Sequence, residues 1–370
     1  MKLDSNTELY FEFIKYCLKD EQDIPSFIKE MDWEGLYQFG KEQAILGILF
    51  KGIERLKDSA YKPSVAVIMK FYAYYNEIVK LNRQVYQDAN KLSLDFKEKY
   101  GINTCIMKGQ ANALMYPDPW VRQPGDIDVW TDADTVDIIK LARQLNPKAE
   151  LGYHHIEIEF LRTPVELHFF PSFMGNLFYE WRLRAFFDSK KSLQFQNKKA
   201  LPDNLGSINC FTKDFDSVFQ LSHLMHHFFF EGIGLRQMVD YFYLLKQGFT
   251  EEEKRQVVEV IKRVNMFNFA TGVMYIMKES LGLEDKYLLM QPNARIGKML
   301  EKEIVLAGNF GFYDTRFKFR GKSVYAQYLL ELYRNLHFAI DFPSETVWGR
   351  PISRWWHMVY KAWLRYRARS

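Results

Sequence analysis

Two changes of hydrophobic period constrain this chain more than anything else in it. Up to residue 100, apolar side chains recur at helical spacing. Leu9, Phe11, Phe13, Ile14, Cys17 and Leu18 form a first run, and Trp33 to Leu56 a second. Val65 to Tyr100 is a long third run, carrying Tyr72, Tyr74, Tyr75, Ile78, Leu81, Val85 and Leu92. At Gly101 the pattern shortens: Ile102 to Met107 reads as a buried strand, followed by a short helix from about Gln110 to Met115. Past the proline-rich loop YPDPWVRQPG, DIDVWTD alternates. Thr135 to Leu145 is helical again, HHIEIEFL alternates, and RTP turns the chain into a partner strand, PVELHFF. From Lys213 the helical period resumes in DFDSVFQLSHLMHHFFF, GLRQMVDYFYLLKQG, EEEKRQVVEVIKRV and FATGVMYIMKESLG, with Thr250 as an N-cap before an acidic first turn. The stretch GNFGFYDTRFKFRGK reads as a loop, and a helix from Val324 to Phe338 precedes the tail. The expected fold class is α+β, a strand-and-helix core between two helical regions, with divisions at 1–100, 101–205 and 206–370.

Composition narrows the classes. With 370 residues, 48% apolar and 26% charged, the chain is globular rather than disordered. Fifty basic against 46 acidic residues leave +4, too little to argue for nucleic acid. Cys17, Cys105 and Cys210 are odd in number, widely spaced and lack a CxxC, which speaks against a disulfide framework or a zinc site and fits a reducing, cytoplasmic compartment. The start, MKLDSNTELYFEF, has early acids and no basic-then-apolar order, so no signal peptide is expected. No stretch approaches ~18 apolar residues, so integral membrane association is not expected either.

Chemistry concentrates in KGQANALMYPDPWVRQPGDIDVW, residues 108–130. On a strand, side chains two apart share a face, which puts Asp126 beside Asp128 and Ile127 beside Val129. Adjacent carboxylates repel unless a cation lies between them. Gly125 removes side-chain bulk where a ligand would approach the backbone. In PVELHFF, Glu166 shares a face with His168, giving a third acid from a later strand. Three converging carboxylates make a hard, oxygen-rich site that suits magnesium. Lys108 and Gly109 end a strand just before a helix, where N–H groups, the helix dipole and the ammonium would together attract an anion. Arg122 either reaches a phosphate, braces the aspartates or forms a loop ion pair.

The combination of KG at a strand end, YPDPxxR, GDIDVW and a VELH strand resembles the nucleotidyltransferase superfamily related to DNA polymerase β. It is most similar to a bacterial branch in which KG replaces the usual Gly-Ser, over about Gly101 to Phe170. The resemblance implies a polymerase β-like core with a mixed sheet. It makes Asp126, Asp128 and Glu166 the ligands of two Mg2+ ions, with Mn2+ as the alternative, and Lys108 and Gly109 the contacts to an NTP. Because the superfamily's phosphate-binding serine is missing, either Lys108 replaces it or nucleotide binding is altered. The implied activity moves an NMP from an NTP to a hydroxyl acceptor and releases pyrophosphate, with Glu166 helping to deprotonate the acceptor. The acceptor, whether small molecule, protein or RNA, is not legible.

The helical segment SHLMHHFFFEGIGLRQMVDYFYLL places His223 and His227 at i, i+4, and Arg236 and Asp240 likewise. It is similar to the segment after the catalytic core in this branch and in abortive-infection toxin nucleotidyltransferases. By that likeness His223, Arg236 and Asp240 belong to the nucleotide pocket; without it, Arg236 and Asp240 are a helix ion pair. The tail RPISRWWHMVYKAWLRYRARS interleaves Trp and Tyr with Lys and Arg. It reads as a packed helix with a solvated basic end, or as a surface for RNA or an anionic membrane. Two alternatives therefore stand beside the enzyme: a toxin-like transferase acting on tRNA, and a non-catalytic nucleotide- or RNA-binding module.

Overall fold

The computed structural model describes residues 4–19, 23–316 and 323–369. The first helical region comprises α1 (Ser5–Leu18), α2 (Trp33–Glu42), α3 (Leu46–Glu54) and α4 (Val65–Tyr100). Asp4, Asp32 and Ser64 cap α1, α2 and α4 by accepting from N–H groups of Thr7, Gly35 and Val67. The single run expected from Trp33 to Leu56 is broken, with Ala44 at φ 57°. The break frees Gln43 for other work. Its Oε1 accepts from Leu235 N–H at 2.9 Å, its carbonyl accepts from Arg236 N–H at 3.2 Å, and its Nε2 donates to the Ile304 and Val305 carbonyls at 3.4 Å each.

Next come β1 (Thr104–Ile106), α5 (Gln110–Ala113), β2 (Ile127–Thr131), α6 (Thr135–Leu145), β3 (Glu150–Leu151), β4 (His155–Phe160) and β5 (Thr163–His168). The sheet order is β1-β2-β5-β4-β3. β2 and β5 are parallel and the other pairs antiparallel, so the sheet is mixed and the architecture α+β. The β4–β5 turn falls at Leu161 and Arg162 rather than at RTP, with Leu161 at φ 56° and Thr163 already paired to Phe160. Pro164 is tolerated within β5 because the β2 register begins only at Val165, leaving the proline one neighbouring strand.

Period two sorts the sheet's faces. Ile127, Val129, Val165, Leu167, Ile156 and Ile158 bury one face against Val85, Ala89, Leu92 and Phe96 of α4 and Ile138 and Ile139 of α6. The other face carries Asp128, Glu166, His168, His155 and Glu157.

The chain continues through α7 (Leu177–Ser189), α8 (Lys191–Gln194) and the hairpin of β6 (Lys198–Ala200) and β7 (Ser207–Asn209). It then runs through α9 (Lys213–Phe230), α10 (Leu235–Lys246), α11 (Glu251–Arg263) and α12 (Phe267–Tyr275), which ends in a π-turn. Thr250 and Glu253 form the capping box of α11. Neither α7 nor α13 (Ala294–Ala307) was expected from the sequence. Of the loop expected over residues 308–322, residues 308–316 are described and include a short 3₁₀ turn, Asn309–Gly311; residues 317–322 lie outside the described residues. The last helices are α14 (Val324–Asn335) and α15 (Gly349–Arg367). One side of α15 is packed: Arg350 donates to Phe229 O and to Glu331, and His357 stacks on Tyr153 at 3.6 Å between centroids. Its other side exposes Trp355, Trp363 and Tyr366. Among the described residues, no helix is long and apolar enough to cross a membrane.

Candidate active site

Parallel pairing of β2 with β5 sets Asp128 opposite Glu166 and Trp130 opposite His168. Antiparallel pairing with β4 sets Glu157 opposite Glu166 and His155 opposite His168. A row of acids thus crosses three strands, a pattern that repels itself across the sheet. Two cations soften it. His168, 2% exposed, aims Nε2 between Asp128 Oδ1 and Glu166 Oε2, at 3.1 Å from each. Lys108 Nζ lies 3.0 Å from Asp128 Oδ1.

The protonation states follow from these contacts. Burial opposes charge on His168, but the hydrogen bonds to Asp128 and Glu166 outweigh it and raise its pKa. Burial works to raise Glu166, yet His168 prevails and holds that carboxyl at about 2. Lys108 is likewise raised, because Asp128, Asp126 and Glu166 outweigh its burial. Asp126 goes the other way: the facing charge of Asp128, then burial, push its carboxyl up. Within the trio, charge is favoured on Glu166 and disfavoured on Asp126.

A cavity of about 40 Å³ opens beside Asp126 and Asp128, lined also by Lys108, Gly109, Gly125, His223, Arg236 and Phe310. Gly109 sits at φ 60°, ψ −106°, a backbone that turns the chain from β1 into α5 and that L side chains rarely adopt. A Cβ on Gly125 would meet nothing within 4 Å, so that flank of the cavity is open. α5 is only four residues long, and so the expected helix-dipole contribution is small; the positive charge comes from the Lys108 side chain.

Lys108 also donates to His223 Nε2 at 3.2 Å. Burial, then Lys108, hold His223 well below its usual pKa, so a neutral imidazole is the acceptor. Arg122 does not brace the β2 aspartates. Its Nε and one terminal nitrogen grip Asp240 at 2.8 Å each, while Tyr116 donates to the same carboxylate at 2.7 Å. Asn82 of α4 fixes the loop by donating to the carbonyls of Trp120 and Arg122 at 2.8 Å. The expected Arg236–Asp240 helix pair is correspondingly not made, because Asp240 is taken by Arg122. Arg236, 8% exposed, donates to Gln123 O at 3.3 Å, and its Nε finds no partner among the described residues. Burial, then Arg122, lower its pKa to about 10.

Every residue expected at the site lies within this neighbourhood: Asp126, Asp128, Lys108, Gly109, Arg122, His223, Arg236 and Asp240 line the cavity, with Glu166 beside it on the sheet. His168 was missing from the expected ligand set, although its place on the Glu166 face was readable. Its donor nitrogen and oxygens of Asp128 and Glu166 all lie within 4.8 Å of one another, whereas Asp126 belongs to no such group. Two oxygens and, once His168 has given up its Nε2 proton, an imidazole nitrogen suit Mg2+ or Mn2+, with nitrogen tilting the set toward the latter. His155 and His154 extend the cluster; burial and neighbouring histidines lower both, His155 to about 4.

Carboxylates on a mixed sheet beside buried cations make a pocket that could hold a metal ion and an anion together. The chain belongs to a family described as uncharacterised nucleotidyltransferases, whose profile it matches over residues 29–282. No curated protein matches it. The crystal structure of an antigenic nucleotidyltransferase-like protein from Paracoccidioides brasiliensis aligns with 51% of this chain and 88% of that one, at 12% identity and a TM-score of 0.30, too loose a likeness to bear on the site.

Proposed function

We propose that this protein is a metal-dependent nucleotidyltransferase that moves a nucleoside monophosphate from an NTP to a hydroxyl acceptor and releases pyrophosphate. The observation that carries this reading is the cluster of Asp126, Asp128 and Glu166 next to a cavity lined by Lys108 and Arg236. Asp128, Glu166 and His168 would hold the metal, with Asp126 completing the set. When bound, divalent ions would neutralise charge at the α-phosphate and the leaving pyrophosphate.

The chain's own groups supply the rest. Arg236 enters with an unpaired Nε and offers it to a phosphate oxygen, a charge-assisted bond. Lys108 exchanges Asp128 for the triphosphate. His223, neutral, fixes the Lys108 ammonium from behind. The Arg122–Asp240 pair holds the wall of the cavity rigid, which keeps reacting atoms in register. The acceptor oxygen attacks the α-phosphorus, the bond to the β-phosphate oxygen breaks, and the hydroxyl proton passes to a carboxylate. Glu166, where the resemblance puts the base, stands beside the cavity on β5 to take that proton.

Thermal unfolding with each of the four NTPs, with and without Mg2+, tests this reading. Binding at a hundredfold excess over Kd adds about 2.7 kcal/mol. A Mg2+-dependent rise with at least one NTP, lost in an Asp126→Asn, Asp128→Asn double variant, is the expected result. No shift with any NTP sinks the proposal.

A further inference from the structure

Phe310 stands apart from the other residues lining the cavity. It lies beyond the family-matched residues 29–282, in the turn that follows α13. Its backbone is at φ 53°, ψ 30°, a left-handed conformation sparsely populated by aromatic residues. Burial does not explain that conformation, because the ring is only half-buried. In this state the turn is seated against its neighbours. Gly308 and Gly311 flank it at φ 63° and 66°. A Cβ on Gly311 would lie 2.0 Å from Glu231 O, so the turn presses on the end of α9. Gln237 of α10 donates to Asn309 Oδ1 at 3.2 Å. The result is a ring held over the cavity mouth, 5.5 Å from the Arg236 guanidinium and 5.6 Å from the His227 ring, which it meets edge-on.

We propose that Phe310 is the base-binding roof of the nucleotide pocket, the surface against which the aromatic base of the NTP stacks. The inference rests on the nucleotide reading above and adds a subsite to it. The cavity as it stands, about 40 Å³, is far smaller than the ~300–1,000 Å³ of pockets that hold ligands of this size. Arg236, Asp126, Asp128 and His223 sit on long helices or at the sheet, which leaves the 308–311 turn as the wall that can lift. Its two left-handed glycines are the pivots. On entry, Arg236 exchanges the ring of Phe310 for a phosphate, and the freed ring closes on the base. A π-face serves any base, so the roof supplies affinity rather than choice among the four.

Calorimetric titration of the full chain with Mg2+ and either NTP or inorganic tripolyphosphate tests the assignment, in wild type, Phe310→Ala and Phe310→Trp. Stacking on one base corresponds to a loss of about five- to hundredfold in NTP affinity for Phe310→Ala. Tripolyphosphate, which has no base, should bind that variant as it binds wild type, and Phe310→Trp should keep NTP affinity. If Phe310→Ala binds NTP as tightly as wild type or tighter, or if NTP and tripolyphosphate weaken together, the roof is wrong while the nucleotide site stands. If wild type binds no NTP, both proposals fail together.

Discussion

Asp240 and Asp126 line one cavity, yet the first receives three hydrogen bonds from Arg122 and Tyr116, while the second faces the like charge of Asp128. The Asp240 corner is complete in the protein alone. The Asp126–Asp128–Glu166 ledge is not: Lys108 and His168 offset part of its charge, and Asp126 is left raised. Removing one partner of a buried charge pair leaves a costly uncompensated charge, so an unfinished set beside a finished one is a candidate site for binding something from outside. Glu180 and Glu345, raised chiefly by burial, offer a third term for comparison.

The largest expected effect breaks the complete corner. Arg122→Met leaves Asp240 charged and buried, and should cost about 3–5 kcal/mol in urea unfolding. A cost under about 1 kcal/mol would mean the corner is not the rigid wall described. Next is pH. Glu180 and Glu345 are raised to about 7 by burial, so the folded chain holds those protons more tightly than the unfolded one. Their contribution is full below about pH 4.5, falls as pH rises toward 7 and then levels, by at most about 3 kcal/mol per group. Glu180→Gln should therefore outperform wild type more at pH 8 than at pH 5; an equal difference at both would remove Glu180 from the account.

A smaller change of opposite sign is expected on the ledge. In chelator, Asp126→Asn relieves the repulsion from Asp128 and should stabilise the chain by roughly 1 kcal/mol; with Mg2+ present, the proposed function has the same variant lose turnover. A loss of stability instead would show that Lys108 already balances the ledge and would erase the contrast with Asp240. The smallest effect is at Gly125. Because a Cβ there meets open space, Gly125→Ala should leave stability within about 0.5 kcal/mol, and slowed turnover would then report crowding of a ligand rather than of the fold.

Much of this was legible along the chain. α4 and α6 match the expected Val65–Tyr100 and Thr135–Leu145 because long periodic runs with Ser64 and Asp134 caps leave little freedom. Period two put Asp126 beside Asp128 and Glu166 beside His168, although β2 begins only at Ile127. α13 had a readable signal as well: Ile296, Leu300 and Ile304 behind an Asn293 cap. What spacing cannot carry is pairing between distant segments. Arg236 and Asp240 sit at ideal helix spacing, yet Asp240 is bound by Arg122, from a loop far upstream. The position of His168 between two carboxylates depends on β2–β5 register, which no local pattern encodes. Nor does any pattern announce that one glutamine, Gln43, should interrupt a helix.

Gln43 also sets an order of events. It ties the start of α10, and hence Arg236, to the end of α13 through Ile304 and Val305. On the ribosome, the strands, Asp126 and Asp128 emerge long before residue 305 does. The wall bearing Arg236 cannot be locked to its full set of anchors until most of the chain has been made, so a nascent chain can carry the acidic ledge well before the cavity opposite it has its final wall.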